Sequence, residues 1–170
     1  MTKWLLFLAV TFAALASSAT AQTKESLVGT WRLVIAKDTT DTGEVKDAYG
    51  QNPTGFLSYT SDGRVMAVIA NGGRKPLSVP DKDSAPVEER AEAFSTFAAY
   101  AGSYSFTGDT VIHHFEAAST QNLVNTDGVR FVKIEGDRMQ MRTPPLVAGG
   151  VHIAYREFIW ERLKPQAAGK

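Results

Sequence analysis

The stretch TVIHHFEAAS, residues 110–119, sets two of the chain's three histidines side by side in an apolar, β-branched run. Imidazole changes charge near neutral pH, so it can move a proton or hold a polar ligand. Successive side chains on a strand point to opposite faces. Ile112, His114 and Glu116 therefore share one face, and Val111, His113 and Phe115 share the other. Only one of the two histidines can face an interior, and the pair cannot chelate one metal ion from a regular strand. With His114 inside, Glu116 stands beside it and could poise the imidazole as a general base. The plainer alternative is a wall histidine that meets a ligand or its own neighbours. His152 adds no metal-ligand spacing, so no metal site is expected.

A second stretch, GVRFVKIEG at 128–136, places Arg130, Val132 and Ile134 on one face and Phe131 and Lys133 on the other. If the Val/Ile face is inward, Arg130 enters the interior, where an unpaired charge is unfavourable. It would then need Glu116, a ligand carboxylate or a phenolate. Alternatively it sits at a rim, its stem on apolar surface and its head in water. Tyr59, Tyr104 and Tyr155 can donate hydroxyls to a ligand or fill core. Met139 and Met141 alternate with polar neighbours, as core or as an adaptable pocket wall. No nucleophile elbow, phosphate loop, dinucleotide fingerprint or zinc-protease helix occurs, and no cofactor is expected.

These residues sit among short apolar runs separated by turn chemistry. Ser61-Asp62-Gly63-Arg64, Thr107-Gly108-Asp109, Thr126-Asp127-Gly128 and Glu135-Gly136-Asp137 punctuate runs at 55–60, 64–70, 102–106, 110–116, 129–134, 138–143 and 151–163. Short strands joined by Asp-Gly and Gly-Asp turns are hairpin signatures. The pattern predicts an all-β, antiparallel, up-and-down β-barrel of about eight strands, because closure removes the exposed edges. One segment breaks it. Residues 84–101, SAPVEERAEAFSTFAAYA, carry Val87, Ala91, Phe94, Ala98 and Ala101 at helical spacing, with Ser84 as cap and Gly102 as stop. The Gly- and Pro-rich loop before it, 70–84, makes this insertion either a lid over one end of the barrel or a plug within it.

Lys3, an apolar run at 4–15 and Ala19-Thr20-Ala21 predict a signal peptide cleaved after Ala21. The barrel domain then spans 22–170, and the protein is periplasmic or secreted, with no membrane span left. Without cysteine there is neither a disulfide framework nor a lipobox thiol. Lys and Arg number 18 against 18 Asp and Glu, with no basic stripe, which argues against nucleic acid and favours a small apolar or aromatic partner. Composition leaves the oligomeric state open.

The first predicted strand reads LVGTWRLV, residues 27–34, and the last ends in Trp160-Glu161-Arg162. A Gly-x-Trp at the start of an up-and-down barrel, with a late basic residue to pack across the tryptophan, resembles the lipocalin signature. A guanidinium stacks well on an indole face. The set Leu27–Trp31, Tyr59–Arg64, Tyr100, Gly102-Ser103-Tyr104, His113-His114, Arg130, Thr143-Pro144-Pro145 and Trp160–Arg162 is similar to the bacterial and fungal lipocalin-like domain family. That resemblance implies a calycin-type barrel with a small-molecule pocket and no single reaction. His114 and Arg130 are then the first candidates to meet a ligand, followed by Tyr104, Glu116 and Tyr155, with His113 and Tyr59 behind them. The rival reading is a cyclase, isomerase or dehydratase on a polyketide-like or phenolic metabolite, with His114 moving the proton. A third is an envelope assembly factor with a filled core.

Overall fold

Alternation sets the walls. In Arg64–Ala70, Val65, Ala67 and Ile69 are buried while Arg64, Met66 and Val68 are exposed, the period of a strand with one face on a core. The computed structural model describes residues 22–164, so the expected signal segment, residues 1–21, lies outside the described residues. A short helix α1 (Lys24–Leu27) leads into β1 (Gly29–Thr40), β2 (Val45–Asp47), β3 (Thr54–Tyr59) and β4 (Arg64–Ala70). Then follow helix α2 (Val87–Ser95), β5 (Phe97–Phe106), β6 (Thr110–Ala118), β7 (Asp127–Glu135), β8 (Arg138–Arg142), β9 (Leu146–Ala148) and β10 (Val151–Arg162). The sheet order is β2-β1-β3-β4-β5-β6-β7-β8-β10-β9, all antiparallel, and β1 also pairs with β10. The result is a closed eight-strand barrel, with β2 and β9 extending the wall at one end.

The opposite end is sealed by the Gly-x-Trp segment. Trp31 is fully buried, and its indole N–H donates to the Leu27 carbonyl at 2.8 Å. The Arg162 guanidinium lies 4.0 Å above the Trp31 ring and donates to the Val28 and Ser26 carbonyls. A Cβ at position 29 would come 2.8 Å from Arg162 Nη1, and Gly29 has φ of 134°. The glycine is there because the arginine must pass and because the backbone adopts a conformation side chains disfavour. Below this cap the core holds Leu57, Tyr59, Val65, Val111, Met139 and Trp160. The Gln22 amide closes the same end, donating to the Gly108 and Val132 carbonyls.

Expectations about the inserted segment and one turn are corrected. The helix is shorter than 84–101: it covers Val87–Ser95, and Phe97 onward is strand, with Ala98, Ala99 and Ala101 paired to Ile69, Val68 and Met66. Pairing with β4 outweighs the helical preference of this alanine-rich run. Ser84 does not cap the helix; its hydroxyl donates to the Asp81 carboxylate. No residue of α2 is buried, and neither α2 nor the loop before it borders the barrel cavity, so the insertion is not a plug. Gly102 sits at a strand irregularity, where a Cβ would meet the His114 carbonyl oxygen at 1.9 Å. Asp127-Gly128, read as a turn, opens β7; the reversal is made by a 3-10 turn at Gln121–Leu123.

Candidate functional site

At the end opposite the Trp31 cap the strands diverge around a cavity of about 430 Å³. Its wall is largely aromatic and aliphatic: Ile69, Tyr100, Phe115, Met141, Phe158 and Trp160 are typical members. Leu123 borders it from the 3-10 turn, Pro144 and Pro145 from the connection after β8, and Leu146 from the start of β9. Volume and lining suit a small organic molecule, for which an apolar enclosure with a few placed polar groups is the usual arrangement.

The first polar group involves His113. Because Val111 and Phe115 face inward, the alternation of β6 carries His113 inside with them, and its side chain is fully buried. His113 Nε2 hydrogen-bonds the Tyr59 hydroxyl at 2.7 Å and Nδ1 the Tyr100 hydroxyl at 2.9 Å. Burial, with the nearby Arg130 charge, pushes the imidazole well below its ordinary range, so it is neutral. Burial likewise raises both phenols, against which Arg130 favours their ionised forms. Of the three, Tyr100 alone borders the cavity.

The second group is an ion pair. Arg156 donates from Nε and Nη2 to the two Asp38 oxygens at 2.6 and 2.7 Å, and from Nη1 to the Tyr49 hydroxyl at 3.2 Å. The pair is largely buried, with side-chain exposures of 15% and 11%. Burial works against the guanidinium charge, but the Asp38 and Tyr49 bonds outweigh it and Arg156 is raised. Such a forked pair is strong and directional.

Arg130 is the third. It lines the cavity on the same face as buried Val132, as the inward reading of β7 requires. Its Nη1 donates to the Val129 carbonyl at 2.8 Å.

Other candidates lie elsewhere. His114 and Glu116 point outward, correcting the expectation that they face the cavity: His114 bonds Asp127 at 2.7 Å, and Glu116 bonds Arg64. The β6 strand could be turned either way by its own pattern, and the apolar Val111 and Phe115 decide it. Tyr155 is also outside, its ring under Arg142 at 4.6 Å. Tyr104 is buried below the cavity and donates to the Thr60 carbonyl at 3.0 Å, while Tyr59 reaches the cavity only through His113. Met139 is core, and Met141 is both core and wall. Tyr49 and the Asp38–Arg156 pair were not singled out in the sequence, and Tyr100 entered only as the end of the expected helix, with no site role. Asp38 lies two residues from Ala36 and Arg156 two from Phe158, so alternation along each strand could have found the pair. Among the described residues, no cluster of His, Asp and Glu could hold a metal ion.

A closed antiparallel barrel with one sealed end and one open, lined end is the architecture of the calycin-type barrels. Its sequence places it more narrowly: the chain belongs to the lipocalin-like domain family, which matches residues 28–163. A crystal structure of an uncharacterised protein from Bacteroides eggerthii is similar to it with a TM-score of 0.42 and 12% identity, covering 81% of this chain and 99% of that one. None of the curated proteins matches the chain. No helix among the described residues is long and apolar enough to cross a membrane.

Proposed function

We propose that the protein is exported and holds a small, mostly apolar molecule inside its barrel. The cavity carries this reading: about 430 Å³ at the end opposite the Trp31 cap, with mainly apolar walls and few polar groups. A barrel that acted only through its outer surface would have no reason to leave that volume unfilled, since interiors normally pack without large voids. Export rests on Lys3, the apolar run 4–15 and the Ala19-Thr20-Ala21 cleavage pattern. The enzymatic reading assigned proton transfer to His114, which here lies on the outer wall bonded to Asp127. His113 is buried behind Tyr100 instead of in the cavity wall, and its lowered pKa makes it a weak base that a ligand could meet only through the Tyr100 hydroxyl.

Native mass spectrometry of the protein purified from its own host, without detergent, tests the reading. A discrete added mass, lost on organic extraction, together with a polypeptide mass beginning at Gln22, supports a carrier or receptor of the envelope or medium. A polypeptide retaining residues 1–21 contradicts export by cleavage. A bare barrel that also fails to take up any added apolar probe contradicts binding.

A further inference from the structure

Resting on the cavity as the binding site, the geometry points to a carboxylate-binding subsite formed by Arg130 and Tyr100, so that the ligand is an apolar acid rather than a neutral lipid or an amine. Three observations support it.

The first is the state of Arg130. It donates to the carbonyl of its neighbour Val129 and stands beside the Tyr100 hydroxyl, whose ionised form it favours, and no carboxylate among the described residues forms a salt bridge with it. The other cavity arginine, Arg156, has both Asp38 oxygens and the Tyr49 hydroxyl. The fold also makes room for the Arg130 head. A Cβ on Gly128 would lie 3.2 Å from Arg130 Nη1 and 2.5 Å from Phe115 Cζ. The Phe115 ring therefore occupies the space a side chain at 128 would enter, with the guanidinium tight beside it.

The second is the direction of the Tyr100 proton. Tyr59 is 1% exposed, and its hydroxyl has one partner among the described residues, His113 Nε2. If Nε2 carried the imidazole proton, the Tyr59 proton would have no acceptor, an unfavourable state for a buried hydroxyl. Tyr59 therefore donates to Nε2, and the neutral ring keeps its proton on Nδ1. That N–H donates to the Tyr100 oxygen, leaving the Tyr100 proton free to point into the cavity. A hydroxyl that accepts a hydrogen bond is a better donor in turn.

The third is the balance of donors and acceptors. Asp38 behind the wall is paired with Arg156, and Asp127, exposed at the rim, holds His114 outside through one of its oxygens. Deeper in the cavity, away from the exposed Asp127, stand three donors: the Arg130 guanidinium, the Tyr100 hydroxyl and the buried Trp160 Nε1–H, which has no partner. Donors without acceptors, one of them cationic, complement an oxyanion. Carboxylate is the planar oxyanion that guanidinium recognises best on an apolar molecule.

The test compares binding of dansylaminoundecanoate with that of its methyl ester, followed by dansyl fluorescence. The wild-type protein should bind the acid about tenfold more tightly than the ester, the value of a hydrogen bond to a charged group. Arg130→Met should weaken the acid about tenfold and leave the ester unchanged, abolishing the preference. Tyr100→Phe should weaken the acid severalfold and the ester less. Equal binding of acid and ester by the wild-type protein, or equal weakening of both by Arg130→Met, would overturn the subsite while leaving the apolar cavity intact. Failure of both probes to bind would remove the cavity reading itself, and the subsite with it.

Discussion

At the scale of residues, the centre of the molecule is an imidazole bonded by a phenol on each ring nitrogen. The Tyr59–His113–Tyr100 chain fixes a tautomer: long-range 1H–15N correlation should show His113 neutral with its proton on Nδ1, and a protonated Nε2 would contradict the hydrogen-bond assignment. Burial lowers its pKa, so the unfolded chain takes up a proton near the ordinary value of 6.5 that the folded chain refuses. Stability from this group is therefore complete above that pH and is lost as pH falls below it, by up to about 1.4 kcal/mol per pH unit. Urea unfolding between pH 8 and pH 5 should show this slope, and His113→Gln should flatten it. The Asp38–Arg156 pair gives a second expectation. Asp38→Asn leaves a largely buried guanidinium without its countercharge and should cost roughly 3 kcal/mol in unfolding free energy. Arg130 was conditional in the sequence: alternation ties it to the face of Val132 and Ile134 but leaves open which face is inward, and the burial of Val132 decides it. His114 was misplaced because the β6 pattern offers apolar residues on both faces, and only the packing of Val111 and Phe115 decides between them.

At the scale of elements, strand boundaries were largely readable where turns carry Asp-Gly or Gly-Asp, as at Asp62-Gly63 and Gly136-Asp137. They were not readable at Phe97–Ala101, where alanines suit either period and only pairing to β4 selects the strand. The same ambiguity hid Tyr100, since a residue assigned to a helix has no barrel face. The opening of β1 was readable because a glycine before a tryptophan needs a cause, and Arg162 is that cause. Gly29→Ala should destabilise the protein by about 1–3 kcal/mol, from backbone strain plus the displaced guanidinium. Chemical denaturation would measure it, and a neutral effect would contradict the sealing role of that contact. By contrast, α2 buries nothing, and Phe94 is 57% exposed. Phe94→Ser should change stability by no more than about 0.5 kcal/mol, as for other surface sites. A larger loss would mean that the helix packs against the barrel in solution.

At the scale of the whole molecule, closure of β1 on β10 joins chain ends that lie far apart in sequence and leaves two unlike ends. One is capped by Trp31, Arg162 and α1; the other opens onto the cavity. Closure itself could be inferred from the even spacing of turns. The depth of the cavity could not, because it depends on how far the side chains of eight strands fail to fill the interior. The central claim is that small molecules bind within this barrel and not on its outer wall, and two methionines report the difference. Met141 borders the cavity, while Met66 is 52% exposed on the outside of β4. The most direct measurement is a titration of the 13C-methyl-methionine-labelled protein with laurate, followed by methyl correlation spectra. The account predicts that the Met141 methyl shifts and saturates while Met66 stays fixed. A Met66 shift with Met141 unmoved would contradict it.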